Sequence, residues 1–369
     1  MTSKRDFASF DVYLCVLVLA LSVFGAVVLS SAGGGIKMQI VWIVTGFVIM
    51  FVVAFVDYEF ICRFYIPFYL LNLALLVAVI VIKRVTGKNV MREIGIGEAS
   101  IMPSEFAKIF MIVFIAKYID RFGKKINNFF VAVLLVILTV VPFALIYLQP
   151  SLSASTVLLF ILVVMLFAGK LYYRYFLIAL AVIIPAAAFL YYDINREEHL
   201  FINLIFEDYQ IEERLKPFLD REAGDPDDLF QTDRSIAAIS SGQLSGVGYG
   251  NNEVYVPESA NDFIFSVIGS EFGFLGSIAA VILGFAIVFK CLLAAYKTEF
   301  MLGRLLCIGV ASMFAFHIFV NVGVATGMLP NTGITFPFIS SGGSSVWSSM
   351  ACIGLVLNAG MKKSKSMFE

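Results

Sequence analysis

Charge is scarce in this sequence, and the motifs of common soluble enzymes are missing. Charged residues make up 14% of the 369 residues, whereas a soluble domain carries roughly 25%. The sequence contains no internal repeat, no Walker motif, no Ser/His/Asp order and no cluster with metal-ligand spacing. The scarcity of charge argues against a water-soluble globular domain. The missing motifs leave no familiar nucleotide-binding, metal-binding or catalytic-triad site.

Paired cysteines and a basic surplus are absent as well. The five cysteines all lie in or beside apolar segments, so the disulfide framework of a secreted domain is not indicated. The formal net charge is −1, and a protein without a basic surplus is a poor partner for nucleic acid. We therefore predict structural roles for the cysteines and no nucleic-acid partner.

Hydrophobic residues are abundant, at 60% of the chain, and they fall into long runs. About 20 apolar residues are enough for a helix to cross a bilayer. The sequence therefore predicts an all-α integral membrane protein, a single domain over residues 1–369 with about ten transmembrane helices. The predicted spans are Val12–Ser31, Ile36–Val56, Phe64–Ile82, Pro103–Ile119, Phe129–Leu148, Ala154–Ala168, Leu171–Tyr191, Asp262–Lys290, Phe300–Thr326 and Ser340–Met361.

Basic residues are unequally distributed between the two sides of these spans. The short outer loops receive few of them, apart from the Lys83–Arg92 connection. Because cytoplasmic loops are enriched in Lys and Arg, we predict that both termini lie in the cytoplasm. The basic residues on the predicted inner side are Lys4, Arg5, Arg63, Lys117, Arg121, Lys124, Lys125, Lys170, Arg174, Lys290, Lys297, Arg304, Lys362, Lys363 and Lys365.

The stretch from Asp193 to Asp262 is the one compositional break. It contains sixteen acidic and five basic residues, and residues 193–261 form a predicted extracytoplasmic loop between helices seven and eight. Within it, Glu207–Leu219 and Gln231–Gln243 read as short helices, the first of them amphipathic. Connections this long are usually functional or disordered, and the glycines and apolar anchors favour function.

Asp262 opens an apolar helix and is the strongest candidate for chemistry. Small residues follow it on the same helical face, and Gly269 with Gly273 would let another helix approach closely. Two roles stay open at this point. Asp262 caps the helix, a position that Asp favours, or it acts as a general base at the membrane boundary.

Other ionisable residues in or beside the spans are candidates because charge is costly at membrane depth. Glu105 and Lys108 lie three residues apart and can pair on one helix face. They either form a structural ion pair or line a polar cavity. His317 is expected to hydrogen-bond a neighbouring helix, and Glu258 and Glu271 complete the set.

The run Leu329–Ser345 breaks the helical pattern with two prolines, three glycines and many hydroxyls. Irregular backbone near a membrane is tolerated where protein or a water-filled cavity satisfies its polar groups. Exposed amides in such turns can bind anions. The run is therefore either a simple outer loop or a site for a phosphate-bearing lipid head group.

Four stretches resemble the SEDS family (shape, elongation, division and sporulation), which includes RodA, FtsW and SpoVE. They are Met102–Lys108, Gln231–Gly250, Val256–Phe265 and Pro330–Ser345. The resemblance implies a peptidoglycan glycosyltransferase that polymerises lipid II, a disaccharide-pentapeptide on undecaprenyl pyrophosphate, at the outer face of the bacterial cytoplasmic membrane. It also implies a class B penicillin-binding protein as partner and a divalent cation, Mg²⁺ or Mn²⁺, as cofactor.

The resemblance also implies roles for particular residues. The family's essential loop aspartate falls on Asp262, which would be the catalytic base for the 4-hydroxyl of the acceptor sugar. By the same resemblance, we assign a substrate-binding cavity to Glu105, Lys108, Glu258, Ser340, Ser341, Gly342, Gly343 and Ser344.

The chain departs from the family pattern at Met102, Ser151, Ser270 and Ser341, and Ser151 stands where the family carries an aspartate. The departures keep open a catalytically weak scaffold that recruits a penicillin-binding protein. A many-helix bundle with a polar cavity could also be a lipid II transporter. Polymerisation by the purified protein would separate the enzyme from both alternatives.

Overall fold

The computed structural model describes residues 9–86, 93–95, 100–149, 151–194 and 226–361. These parts are almost wholly helical, with one isolated antiparallel bridge between Ile94 and Ile101. The all-α class predicted from the apolar runs is confirmed. The predicted amphipathic helix Glu207–Leu219 lies outside the described residues.

A helix occupies each of the ten predicted apolar segments, and two further α-helices occur in the described ranges. The helices are α1 (Val12–Ser31), α2 (Ile36–Phe55), α3 (Tyr58–Arg63), α4 (Tyr65–Thr86), α5 (Pro103–Phe122), α6 (Phe129–Tyr147), α7 (Leu152–Ala168), α8 (Tyr173–Ile194), α9 (Pro226–Ser241), α10 (Ile264–Lys297), α11 (Met301–Ala325) and α12 (Gly343–Gly360). Six of these described helices are long and apolar enough to cross a membrane, namely α1, α2, α4, α6, α10 and α11.

Capping residues explain where several helices begin. The Asp11 carboxylate accepts a hydrogen bond from the Leu14 amide at 3.0 Å at the start of α1. Asn128 accepts one from the Phe130 amide at 3.0 Å at the start of α6. Helix α5 begins with Pro103, whose fixed φ suits the first helical position. These local signals explain why the first residues of α1, α5 and α6 agree with the sequence-based bounds.

The two shorter helices differ in how well the sequence predicts them. Helix α9 confirms the short helix expected at Gln231–Gln243, although it begins earlier, at Pro226. Helix α3 is not predicted from the sequence. It fills the corner between α2 and α4, and Asp57 caps it by accepting a hydrogen bond from the Glu59 amide at 2.8 Å.

Helix α10 is interrupted at Gly273, where φ is 62° and ψ is −160°. An unbroken helix of 34 residues would be about 51 Å long, well beyond the roughly 30 Å hydrocarbon core. A helix is therefore present across the predicted span Asp262–Lys290, with a break at Gly273 that the sequence does not predict. A short helical part, Ile264–Phe272, precedes the break, and the longer part after it continues through the bundle to Lys297.

The most buried helices lie at the centre of the bundle, and the exposed apolar faces of the other helices lie on its outside. Helix α11 is the most enclosed of the six candidate spans, with 72% of its apolar window buried, against 22% for α2 and for α4. Large apolar side chains such as Val44, Val48 and Leu70 point outward and are exposed. This distribution is expected where lipid, not water, covers the outer surface.

Candidate functional site

A polar cavity of about 450 Å³ lies at one end of the bundle. The N-terminal turns of α5, α7 and α12 form part of its wall, together with the turn before α10 and the segment before α12. Ser340 is not in the wall. The other predicted site residues line the cavity, namely Glu105, Lys108, Glu258, Asp262, Ser341, Gly342, Gly343 and Ser344.

Asp262 lies in the turn that leads into α10, one residue before the N-cap residue Phe263. It lines the cavity beside Gly333. A Cβ atom at Gly333, where φ is +74°, would stand 3.2 Å from Asp262 Oδ2. The absence of a side chain at Gly333 leaves room beside this carboxylate. Asp262 therefore precedes the cap position and belongs to the cavity wall.

Three consecutive carbonyl groups of the Ala260–Asp262 turn are each held by a different donor. The Ser341 amide donates to Ala260 O at 2.9 Å. The Ser340 hydroxyl donates to Asn261 O at 2.7 Å. The Asn321 side-chain amide donates to Asp262 O at 2.8 Å. Ser340 is thus buried behind the cavity wall and supports it, and its predicted substrate contact stays a prediction.

Lys108 is the centre of a buried charged network. Its ammonium donates to both carboxylate oxygens of Glu105 at 2.8 Å, and Lys108 is only 2% exposed. The third contact is to His317 Nε2 at 3.2 Å. With the lysine as donor, the other ring nitrogen, Nδ1, donates to the Thr335 carbonyl at 3.2 Å. The predicted ion pair and the predicted helix–helix hydrogen bond of His317 are both present.

The network limits how Lys108 can bind a ligand. An ammonium group has three hydrogens to donate, and Glu105 and His317 provide three acceptors. A bound phosphate would therefore reach this ammonium only by displacing one of them. Breaking a buried pair leaves an uncompensated charge and is costly, so the resting role of Lys108 is to hold α5 against α11.

The glycine–serine turn at the start of α12 is shaped by close contacts. Gly342 adopts φ +141°, and a Cβ at Gly343 would lie 2.8 Å from Trp42 Nε1. The Ser344 hydroxyl accepts a hydrogen bond from the Met102 amide at 3.0 Å. This contact joins the N-terminal ends of α12 and α5. Of the two alternatives for the Leu329–Ser345 run, its place in the cavity wall favours a binding site over a simple outer loop, and the head-group ligand stays a prediction.

Three helices point their N-terminal ends toward the cavity. The cavity wall includes Met102 at the start of α5, Ser151 at the start of α7 and Gly342 at the start of α12. None of these three N-cap residues makes a side-chain capping hydrogen bond. Free amide groups and the positive end of the helix dipole favour anions at such ends. The wall can therefore attract a phosphate group as well as present carboxylates.

The structure also places residues in the cavity wall that the sequence analysis did not single out as ligands. Glu93, Ser100 and Ser153 line it, and the Ser100 hydroxyl donates to the Glu93 carboxylate. Glu258 accepts a hydrogen bond from the Asn261 side-chain amide at 2.7 Å. Glu93 belongs to none of the motifs and lies far along the chain from Asp262, so a single sequence gives no signal that its carboxylate lines the cavity.

Glu271 lies outside this cavity wall. It accepts a hydrogen bond from the Ser31 hydroxyl at 2.8 Å and another from the Gly250 amide. Ser31 is the last residue of α1, and Gly250 ends the glycine segment, which we define as Gly242–Gly250. Glu271 therefore connects α10 to α1 and to the outer loop.

The glycine segment packs against the break in α10. Val247 and Gly248 donate backbone hydrogen bonds to Ser270 O and Glu271 O at 2.9 and 3.2 Å. The amides after the break, Phe274 and Leu275, donate to Gln243 O and Leu244 O at 2.9 and 3.1 Å. Backbone groups that the break releases from the helix are thus paired with the loop.

The small residues predicted on α10 do permit a close approach. A Cβ at Gly269 would stand 2.8 Å from an Ile239 side-chain atom of α9, and one at Gly242 would stand 1.9 Å from Gly269 O. The approaching elements are α9 and the glycine segment of the outer loop. The stripe of small residues therefore serves docking of this loop.

A divalent cation needs several oxygen ligands brought together. In the part of the chain that the structure describes, no group of three or more His, Cys, Asp and Glu residues could hold a metal ion. Among the cavity acids, Glu105 is already paired with Lys108. The described residues do not fit a preformed cation site, and the cation implied by the resemblance stays a prediction.

The described helices and cavity define a multi-pass helical membrane protein with carboxylates, hydroxyls and free helix N-termini around one polar cavity. The family model described as cell cycle protein, which covers FtsW, RodA and SpoVE, matches residues 6–365. The chain belongs to this FtsW/RodA/SpoVE family. The membership predicted from four motifs is thereby confirmed.

Individual relatives agree over nearly the full length. The chain is 31% identical to a probable peptidoglycan glycosyltransferase FtsW of Trichlorobacter lovleyi, covering 96% of this chain and 94% of the relative. It is 30% identical to stage V sporulation protein E of Bacillus subtilis, covering 97% and 98%.

Two solved structures have the same fold. A chain of a peptidoglycan synthase complex that coordinates polymerization and crosslinking aligns with a TM-score of 0.78 at 28% identity, covering 95% of this chain and 97% of that one. A mutant of the rod shape determining protein RodA of Thermus thermophilus aligns with a TM-score of 0.69 at 25% identity, with the same coverage.

Proposed function

We propose that this protein is a peptidoglycan glycosyltransferase that polymerises lipid II into glycan strands. The observation that carries the proposal is the Asp262 carboxylate in the wall of a polar cavity, at a turn whose three carbonyls are fixed from behind. The family and the names of the relatives support the same reaction. A positioned carboxylate in a partly desolvated site is suited to general base catalysis.

In the proposed reaction, Asp262 accepts the proton and the lipid pyrophosphate is the leaving group. The Asp262 carboxylate takes the proton of the acceptor sugar's 4-hydroxyl, and that oxygen attacks the anomeric carbon of the donor. The bond from this carbon to the pyrophosphate oxygen breaks, and the lipid pyrophosphate leaves with the bonding electrons. The N-terminal ends of α5, α7 and α12 offer backbone amides to the leaving anion.

The proposal also includes a place and a partner. We place the cavity at the outer face of the bacterial cytoplasmic membrane, with both termini in the cytoplasm, because the basic residues gather at the opposite ends of the helices. We expect a class B penicillin-binding protein to supply crosslinking, since a structural relative belongs to a synthase complex that couples the two activities.

The test is polymerisation of labelled lipid II by the purified protein in detergent, with the product measured on gels. We expect glycan strands from the unmutated chain and a fall of about 10²–10⁴-fold in Asp262→Asn. Asn keeps the shape of the side chain but cannot take the proton. The matched control is Glu253→Gln, which removes an exposed carboxylate of the same outer loop and should leave the rate unchanged.

Three results would contradict the proposal. An undiminished rate in Asp262→Asn would remove the base role from this residue. Absence of strands both with and without a class B penicillin-binding protein would favour the scaffold function. Movement of lipid II across vesicle membranes without strand formation would favour the transporter.

A further inference from the structure

Asn321 lies in the last two turns of α11 and is fully buried. Its side-chain amide makes two hydrogen bonds, to Asp262 O at 2.8 Å and to Ile334 O at 2.7 Å. These carbonyls belong to the two segments that meet at the carboxylate, because Ile334 follows Gly333 and Gly333 flanks Asp262 Oδ2. One amide group thus bridges the Asp262 turn and the facing wall.

We infer that Asn321 is the positioning residue of the catalytic aspartate. The inference rests on the proposed function for its kinetic consequence, while the geometry that carries it is independent of the substrate. Asn321 has no place in the cavity wall among the described residues, so it acts through Asp262 and not by touching a sugar. It sets both the backbone from which the carboxylate projects and the distance to the Gly333 side of the cavity.

Two neighbouring hydrogen bonds attach the Ala260–Asp262 turn independently of Asn321. The main effect of Asn321 is therefore on the exact position of Asp262. Ser340 and Ser341 hold Asn261 O and Ala260 O, so the turn stays attached to the α12 segment without Asn321. Neither of these two bonds is made to the Asp262 carbonyl, which accepts from Asn321. Loss of the Asn321 donors therefore leaves the turn attached and releases the carbonyl of its last residue, and a shift of about 1 Å at a reacting group can cost about 100-fold in rate.

Asn358 provides a matched control inside the same protein. It is also a buried membrane asparagine, and its side-chain amide also bridges two backbone carbonyls, of Val53 and Val56. It lies at the C-terminal end of α12, against the corner between α2 and α3, and is not part of the cavity wall. The two asparagines share chemistry and burial and differ in what they hold.

The experiment compares Asn321→Leu with Asn358→Leu, because Leu matches Asn in shape and has no polar group. Per folded molecule, we expect kcat of lipid II polymerisation to fall about 10–100-fold in Asn321→Leu with KM within about twofold. We expect kcat to be unchanged in Asn358→Leu, although both variants unfold at a lower temperature than the unmutated protein. If Asn321→Leu does not fold, Asn321→Ser, which keeps one donor, is measured by the same criteria.

A second readout does not depend on the proposed reaction. A water-soluble carbodiimide modifies accessible carboxylates, and peptide mass spectrometry reports the rate at Asp262. We expect Asn321→Leu to raise that rate several-fold and Asn358→Leu to leave it unchanged. The inference is overturned if the Asp262 modification rate is the same in both variants, if Asn321→Leu changes KM alone, or if Asn358→Leu loses as much kcat. Absence of strands from the unmutated chain would count against the proposed function only.

Discussion

Ser151 illustrates how one side chain can change the charge of the cavity without changing its architecture. It is the N-cap residue of α7, it is buried, and it lines the cavity together with Ser153. The family carries an aspartate at this position, by the resemblance of the motif. Because Lys108 is already bonded to Glu105 and His317, the loss of that carboxylate does not leave this lysine without an acceptor.

We predict that Ser151→Asp increases the polymerisation rate of a weakly active chain about tenfold. Asp is favoured at an N-cap and interacts well with the helix dipole, so the substitution fits the backbone. The added charge would contribute about 1.4 kcal/mol to the transition state for a tenfold gain. The measurement is the rate and length of strands made from labelled lipid II, alone and with a class B penicillin-binding protein.

Ser151→Asn separates charge from shape in this prediction. Asn caps a helix about as well as Asp and has nearly the same size, but it carries no charge. We expect no rate gain from Asn. Equal gains from Asp and Asn would show that the N-cap, and not the carboxylate, limits this chain.

The sequence indicates the identity of the cavity residues far better than their mutual contacts. Asp262, Glu105 and Lys108 are recognisable because charge near a membrane span is costly and therefore conspicuous. The roles of Glu93 and Asn321 depend on distances between residues remote in the chain. An asparagine inside an apolar helix signals a hydrogen bond, but the sequence cannot name the two carbonyls that it holds.

At the scale of elements, the first part of α10 is held at both ends. The Ala260–Asp262 turn fixes its start, and the glycine segment pairs with the backbone on either side of Gly273. Gly246 is critical in this contact because its φ is +85° and a Cβ would stand 2.0 Å from Glu271 O. The outer loop is thereby joined to the helix that leads from Asp262.

We predict that Gly246→Ala lowers the free energy of unfolding by about 1–3 kcal/mol and reduces polymerisation. The new methyl group must displace backbone, which is less compliant than a side chain. Thermal unfolding in detergent, with the strand assay at a temperature where both proteins are folded, measures the two effects.

Gly250→Ala is the matched control for Gly246→Ala. Gly250 also has positive φ, +72°, but nothing lies within 4 Å of its Cβ position. Gly250→Ala should lower the free energy of unfolding only by the cost of placing an alanine at positive φ, about 1 kcal/mol. If the two variants are equally destabilised, close approach of the loop to α10 does not contribute to stability.

Helix bounds are the part of the fold that the sequence predicts best. Both ends of α1 agree with the apolar run from Val12 to Ser31, because Asp11 marks the beginning and the glycines after Ser31 follow the end. The break at Gly273 is missed because an apolar pattern reports which residues face lipid or protein. It does not report whether a glycine among them adopts non-helical φ and ψ. At Gly273 this depends on the glycine segment, whose backbone pairs with the carbonyl and amide groups that the break releases.

At the scale of the molecule, most of the described basic residues lie at the end of the bundle opposite the cavity, whereas Lys37, Lys83, Arg84 and Arg234 lie toward the cavity end. The described part of the acidic outer stretch, residues 226–262, leads to the cavity at Asp262. The described basic residues at the other end lie near the ends of α3, α5, α8, α10 and α11 and in the connections after α5 and α7, namely Arg63, Lys117, Arg121, Lys124, Lys125, Lys170, Arg174, Lys297 and Arg304. This separation is the basis for the proposed orientation.

We predict that Tyr255→Cys is labelled by a membrane-impermeant maleimide in intact cells, whereas Lys124→Cys is labelled only after permeabilisation. Tyr255 is 72% exposed and lies shortly before the Asp262 turn, and Lys124 is exposed in the connection after α5. The native background is low because four of the five cysteines are buried, and Cys15 is partly buried. The reverse labelling pattern would invert the orientation.

The double attachment of the first part of α10 has a consequence for insertions and deletions. Between Gly242 and Asp262, the chain is fixed at one end to the Gly273 break and at the other to Asn321, Ser340 and Ser341. One residue gained or lost in this interval shifts one of the two attachments out of register. Lengthening the chain between α8 and α9 breaks none of these bonds. In engineered variants of this chain, inserted residues should therefore be tolerated before α9 and should lower activity in the interval that leads to Asp262.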